Sequence, residues 1–296
     1  MAKYPFMQVD AFTETRLGGN PCAILFETDE MSDASMLAIA KEMNLSETAF
    51  VRKSSTADFG VRYFTPAEEI PLAGHPTIAT TFALVESGRL ALTGDHTTIA
   101  LELKAGIIKV EIYAEGGKAA RIVMTQMKPQ FLKRYEAEAV MPVFGLSAGD
   151  ALLNAPLQTV STGTAQLMIP VRDMDALRRA KMDHEAYVDL RAKGDFFSPH
   201  LFCLGGVTEE GDTFARHFGT PPDTVEDPFT GSATGGMAAY LWHHGLIEQP
   251  NFTAEQGHWM GRPGRATVEV IGAREDIEAV RVGGQAVTVL RGEFEI

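Results

Sequence analysis

Apolar residues alternate with polar ones, or cluster in short runs, at residues 6–9, 22–26, 48–51 and 61–64, and again at 98–103, 107–113 and 121–124. Each run predicts a strand. Gly116-Gly117, between the last two, predicts a hairpin turn. Residues 32–43 (SDASMLAIAKEM) instead begin with serine and space their apolar positions as an amphipathic helix does. The second half repeats the style. Strands are expected at 166–171, 202–204, 214–218, 266–271, 280–282 and 286–290, with a helix at 173–181. The polar, proline-bounded stretch 128–142 (KPQFLKRYEAEAVMP) predicts the junction between halves.

Two stretches break the pattern. Residues 76–85 (PTIATTFALV) and 232–242 (SATGGMAAYLW) contain no charged residue. A helix without a charged face is a buried helix. Pro76 suits the first helical position and Gly88 the C-terminal stop. Both stretches lie in a near repeat, residues 69–79 (EIPLAGHPTIA) and 226–236 (EDPFTGSATGG). Glu69 matches Glu226, Pro71 matches Pro228 and Gly74 matches Gly231. Gly88 and Leu90 match Gly245 and Ile247; 226 − 69 and 245 − 88 both give 157. Arg62-Tyr63-Phe64 is echoed by Arg216-His217-Phe218 at a spacing of 154 (216 − 62), so about three residues are inserted between. A repeat of half the 296-residue length predicts an α+β protein of two similar domains, each with one helix threaded through its middle.

The polar residues differ between the copies. His75 becomes Ser232, and Ile70 becomes Asp227. Helix N-termini attract carboxylate or phosphate, and the glycines Gly74 and Gly231 let a ligand approach the backbone. If the halves are related by two-fold symmetry, a small anionic substrate fits between AGHP and TGSA. His75 and Asp227 can act there as acid–base or positioning groups, or serve as a helix cap and a turn residue. Glu47 follows the first helix and is boxed by Leu45, Ala49 and Phe50. Partial desolvation would raise its pKa toward neutrality and suit it to take and return a proton.

Composition narrows the partners. Acidic residues outnumber basic ones by 39 to 26, the net charge is −13, and no basic run is present. That disfavours nucleic acid and anionic membrane surfaces. Cys22 and Cys203 form no CxxC, which suits a reducing compartment. No signal-peptide run precedes Asp10, and no stretch approaches the roughly 20 apolar residues of a membrane span. The cytoplasm is the expected location. The eight histidines show no HExxH spacing and there is no GxxxxGK[ST] loop, so neither a metal nor a nucleotide cofactor is expected.

The set Gly19-Asn20-Pro21-Cys22-Ala23, Leu45-Ser46-Glu47-Thr48, Ala73-Gly74-His75-Pro76 and 226–233 (EDPFTGSA) resembles the PhzF-like (phenazine biosynthesis) family. Met260-Gly261-Arg262-Pro263 and 282–287 (VGGQAV) are similar too, so the resemblance runs from near residue 6 to near residue 290. It implies the diaminopimelate epimerase fold, two pseudo-symmetric barrel-like domains each wrapped around a central buried helix. Expected boundaries are 1–127 and 128–285, with a last strand near 286–296 crossing back to the first domain. Homodimers are common for this fold. The epimerase carries a cysteine just before each glycine; Ala73 and Thr230 stand there, so thiol chemistry is lost. By resemblance Glu47 is the proton carrier, with His75 and Asp227 as supporting groups. Gly231 and Ser232 hold the substrate carboxylate, with Ser46 and Gly74 close by, and Asn20 lines the cleft. The implied activity is that of a cofactor-free isomerase, of the type acting on trans-2,3-dihydro-3-hydroxyanthranilate. Alternatives are an epimerase or racemase of a small amino or hydroxy acid, which would need a base on each face, and a non-catalytic binding protein.

Overall fold

Strands and helices fall where the apolar spacing placed most of them in the computed structural model, which describes residues 2–296. The first half runs β1 (Lys3–Ala11), β2 (Asn20–Leu25), α1 (Asp33–Met43), β3 (Glu47–Arg52) and β4 (Phe59–Phe64). It continues with β5 (Glu69–Ile70), α2 (Gly74–Glu86), β6 (His96–Leu103), β7 (Gly106–Glu115) and β8 (Lys118–Gln126). β9 (Gln130–Tyr135) closes the first half, and in the second come α3 (Ala137–Val140), β10 (Leu157–Ser161), β11 (Ala165–Pro170), α4 (Met174–Arg179) and α5 (His184–Ala192). Then follow β12 (Ser198–Leu204), β13 (Thr213–Phe218), β14 (Glu226–Asp227), α6 (Gly231–His243), β15 (Asn251–Gln256), β16 (Gly264–Ala273), β17 (Asp276–Gly284) and β18 (Ala286–Glu295).

The two halves pair their strands in the same series. β1 to β2 is antiparallel, β2 to β3 parallel, β3 to β4 antiparallel, and β4 to β6 parallel. β10 to β11, β11 to β12, β12 to β13 and β13 to β15 repeat those senses one by one. Three pairings join the halves: β8 with β17, β9 with β10, and β18 with β1. Each half's sheet is thus completed by the strand that ends the other half. The stretch 128–142, read as a polar junction, contains β9; its side chains are mostly exposed at this edge, so no alternation betrays it. β10, α5 and β15 were likewise not anticipated. α5 buries Tyr187, with Ala186 and Leu190 packed beside it, a stripe too short to announce a helix.

Each central helix is sheathed by its own sheet, and residues 74–84 and 231–241 are all buried. Burying each large apolar side chain contributes about 1.5–3 kcal/mol, and a charge inside would forfeit it. This is why neither helix carries one. Gly88 and Gly245 end the helices with φ +71° and +68°, the left-handed turn that glycine adopts freely. α2 begins at Gly74, two residues before Pro76, so Pro76 is third and not first in the helix. The first-turn N–H groups have no intrahelical acceptor, so proline costs nothing there either.

The starts of α2 and α6 abut. A Cβ on Gly74 would lie 2.5 Å from the Ser232 nitrogen and 2.8 Å from the Gly231 Cα, while one on Gly231 would strike the Phe12 ring at 2.8 Å. Flanking each start is a matching ion pair. Arg62 grips Glu69 through two bonds of 2.7 and 2.9 Å, and Arg216 grips Glu226 through two of 2.8 Å. Arg62 also lies over Phe64, and Arg216 over Phe218.

Candidate active site

The loop after α1 fixes the first functional group. Asn44 takes a left-handed conformation (φ 50°) and turns the chain into β3, whose first residue is Glu47. Asp227 ends the two-residue strand β14, where the first half has Ile70 at the end of β5. His75 is the second residue of α2. The close approach of the helices brings these three together, with one ligating atom from each within 4.8 Å of the others.

Asp227 is held by three donors. Its Oδ1 accepts from Ser46 Oγ at 2.5 Å and Asn20 Nδ2 at 2.8 Å, and its Oδ2 from Thr230 Oγ1 at 2.5 Å. Asn20, fully buried, also donates to the Phe229 carbonyl at 2.8 Å and faces His75 Nδ1 at 3.0 Å. An amide nitrogen only donates, so Nδ1 accepts and the ring proton sits on Nε2. Burial pushes the His75 pKa down to about 4 against the opposing pull of Asp227, so the imidazole is neutral. Its Nε2 lies 3.4 Å from Glu47 Oε2, and neither atom has a hydrogen-bond partner.

Glu47 keeps 18% of its side chain exposed, toward a cavity. Its pKa is raised well above the usual carboxylate value, first by burial and then by the charges of Asp227 and Asp223. A carboxyl whose surroundings favour the protonated form is suited to recover a proton as well as to release one. Cys22 lies opposite Glu47 in the β2–β3 register, but burial, and secondarily Glu47 itself, holds its thiol protonated.

The cavity measures about 300 Å³, enough for a small organic acid. Ser46, Glu47, Asp227 and Ser232 line it, together with Ala73 and Thr230 at the two helix starts. His75, Asn20, Gly74 and Gly231 lie behind that wall. Asn20, expected to line the cleft, instead positions Asp227 and His75. The glycines, expected to admit a ligand, are spent on the contact between helices. Neither Ala73 nor Thr230 caps its helix with a side chain, because alanine has no acceptor and the threonine hydroxyl is committed to Asp227. By contrast, α1, α4 and α5 are capped by Ser32, Asp173 and Asp183. Two uncapped helix starts meeting at one cavity leave backbone N–H groups for an anion. No lysine or arginine lines it. Glu47, His75 and Asp227 are also the one cluster among the described residues with metal-ligand spacing. A cation there would need the Nε2 proton removed, and Asp227 already serves three donors.

Several lining residues were not anticipated: Thr164, Gln166, Ser198, His217 and Asp223. The signal was the repeat itself, since His217 stands in the echo of Tyr63.

A model of the PhzC-PhzF family, described as phenazine biosynthesis-like protein, matches residues 9–292. The chain belongs to this family. A trans-2,3-dihydro-3-hydroxyanthranilate isomerase of Pseudomonas fluorescens is 33% identical over 290 residues, covering 97% of this chain and 98% of the relative. The crystal structure of a PhzF-family phenazine biosynthesis protein of Bacillus anthracis superposes with a TM-score of 0.88 at 32% identity, over 100% of both chains. A hydroxyproline epimerase of Agrobacterium vitis shares the fold, with a TM-score of 0.70 at 14% identity over 98% of this chain and 92% of its own. The fold is therefore diaminopimelate epimerase-like, as the resemblance implied, and this PhzF-family chain is an isomerase. No described helix is long and apolar enough to cross a membrane.

Proposed function

We propose that this PhzF-family isomerase moves a proton within a small carboxylate-bearing substrate without a cofactor, using Glu47 as base and then acid. The observation that carries the reading is the state of Glu47: a buried, unpartnered carboxyl oxygen on a cavity wall, with its pKa raised, beside a neutral imidazole. In the ionised form Glu47 takes a proton from carbon. The electron pair left behind delocalises into the substrate's π system, and Glu47 returns the proton at another carbon. His75, held neutral with its proton on Nε2, stays within reach of Glu47 and steadies the carboxylate. Asp227 keeps Ser46 and Thr230 in place at the rim. The substrate carboxylate sits at the uncapped starts of α2 and α6, near Ser232, where N–H groups replace the absent lysine and arginine.

The position equivalent to Glu47 in the second half holds Ser198. In the parallel pairs, Glu47 faces Cys22 and Ser198 faces Gln166; two residues on, Ala49 faces Tyr63 and His200 faces His217. A serine hydroxyl is no base near neutrality, so one base works alone. That favours transfer between two carbons over inversion at one.

The test is to incubate the protein in D₂O with trans-2,3-dihydro-3-hydroxyanthranilate, and then with other small unsaturated acids, following deuterium by NMR. Label at a new carbon, absent with Glu47→Gln, is the expected result. Exchange with inversion at the original carbon would replace the reading by epimerisation.

A further inference from the structure

One connection is longer than the fold requires. β6 joins β7 through two residues, Lys104 and Ala105, between the paired Leu103 and Gly106. The counterpart in the second half spends seven, 257–263, between the paired Gln256 and Gly264. The registers of β4 with β6 and of β13 with β15 make Leu103 and Gln256 equivalent. Leu103 is core. Gln256 instead holds the active site: its Nε2 donates to the Asp227 carbonyl at 2.7 Å, and its Oε1 accepts from the Thr230 nitrogen at 3.1 Å.

The far end of this turn crosses to the first half. Arg262 Nη2 donates to the fully buried Asp10 carboxylate at 2.8 Å and to the Gly18 carbonyl at 2.7 Å, and its Nε to the Gly19 carbonyl at 2.9 Å. The Pro263 carbonyl accepts from the Gly19 nitrogen at 2.9 Å, and the Arg262 nitrogen donates back to the Gly257 carbonyl at 3.1 Å. Gly18 and Gly19 lead straight into Asn20, and the Gly19 carbonyl lies in the same rigid peptide plane as the Asn20 N–H.

Asn20 needs such a hold. Its Nδ2 serves His75 Nδ1, Asp227 Oδ1 and the Phe229 carbonyl, while its Oδ1 is buried with no partner among the described residues. Turned over, the amide would set that oxygen against a carboxylate and a carbonyl, so one orientation works. With the oxygen end unanchored, the backbone supplies the placement, and the backbone is what Arg262 grips. We propose that Arg262, which does not line the cavity, is a positioning residue of the active site. Through the Gly18 and Gly19 carbonyls it places Asn20, and through Asn20 it keeps the His75 proton on Nε2 and Asp227 in register. The inference rests on the reading of Glu47, His75 and Asp227 as the working groups. Without the clamp Asn20 Nδ2 can leave Nδ1, and the ring can carry its proton on either nitrogen.

Long-range ¹H–¹⁵N spectra of protein labelled with ¹⁵N-histidine show which ring nitrogen bears the proton, with His75 assigned by His75→Gln. Wild type should show Nε2 alone. Arg262→Ala strands the buried Asp10 carboxylate, so the double variant Asp10→Asn/Arg262→Met is measured beside it. In both, His75 should carry its proton on Nδ1 as well as Nε2, and kcat should fall roughly 10–100-fold with KM little changed. Guanidinium ion, added to Arg262→Ala well below denaturing concentration, should return the single tautomer and part of the rate. Gly88→Ala, which strains the chain away from the clamp, should keep the wild-type spectrum. The proposal is overturned if wild type lacks the Nε2 tautomer, if a folded clamp variant keeps it, or if Gly88→Ala scrambles it equally. Failure of both clamp variants to fold would overturn it too, leaving Arg262 a residue of stability alone. The tautomer is read without substrate. A clamp-dependent tautomer in a protein that moves no proton on any acid would sink the isomerase and leave the positioning role standing.

Discussion

The two halves build the same lattice and fill it with opposite chemistry. Across β3, β4 and β5 the aligned residues are Ala49, Tyr63 and Ile70; across β12, β13 and β14 they are His200, His217 and Asp227. The first row is core, its one hydroxyl bonded to Thr77 at 3.0 Å. The second is a chain of ionisable groups reaching the cavity. One place along the sheet the polarity reverses, with Glu47 in the first half and Ser198 in the second. Symmetry brings two equivalent helix starts to one cavity, and the asymmetric substitutions give that cavity one unclamped carboxyl, one clamped one and one hydroxyl.

Replacing Glu47 breaks the comparison most severely. Glu47→Gln preserves shape and removes the titrating oxygen, and kcat should fall about 10²–10⁴-fold with KM little changed, in single-turnover and steady-state assays. An activity within tenfold of wild type would give the role to another group. Next comes Asp227→Asn, which makes the second half's row less unlike the first. Losing the charge weakens the hold on Ser46, Thr230 and Asn20, and kcat/KM should drop roughly 10-fold or more. It also removes one of the charges raising the Glu47 pKa, so the acid limb of the pH–rate profile should move to lower pH. A limb that stays put would mean that Glu47 does not set it.

Smaller effects probe the scaffold. Gly74→Ala forces a methyl against the Ser232 nitrogen and should cost about 1–3 kcal/mol in urea denaturation, with activity lost as the helix starts part. Gly88→Ala meets open space but keeps φ +71°, and should cost about 1–2 kcal/mol with activity intact. Equal loss of activity in both variants would contradict the assignment of Gly74 to the contact between helices. Of the matched ion pairs, Arg216→Met should destabilise more than Arg62→Met, by about 1 kcal/mol, because Arg216 also donates to the Leu177 and Ala180 carbonyls, whereas the further partner of Arg62 is the exposed Asp33. The subtlest effect is pH-dependent stability. Glu47 binds its proton more tightly folded than unfolded, so its contribution is complete below about pH 4.5 and is lost as pH rises through the elevated folded value. The Tm of Glu47→Gln, relative to wild type, should therefore increase with pH across that window.

Much of this was legible in the sequence, for physical reasons. The uncharged helices announced their burial, and the repeat announced two halves. Glu47, His75 and Asp227 could be singled out because they differ between copies or sit among apolar neighbours. Asn20 was seen, but its task was not, since reach to Asp227 depends on the crossing of two halves 207 residues apart along the chain. Gly74 and Gly231 were recognised while their reason was misread: a glycine that admits a ligand and one that admits another backbone look the same in a sequence. Ser198 and Gln166 were invisible, because only strand register places them at the counterparts of Glu47 and Cys22. β9 was missed for want of an apolar face.

The exchange of closing strands has a mechanical consequence. With β9 laid against β10 and β18 against β1, each lobe wears a piece of the other as its hem. Severing the polypeptide near residue 136, after β9, would leave two frayed edges in place of two free-standing modules. The pair should therefore melt as one, and the width of the cavity between them is stitched in from both sides.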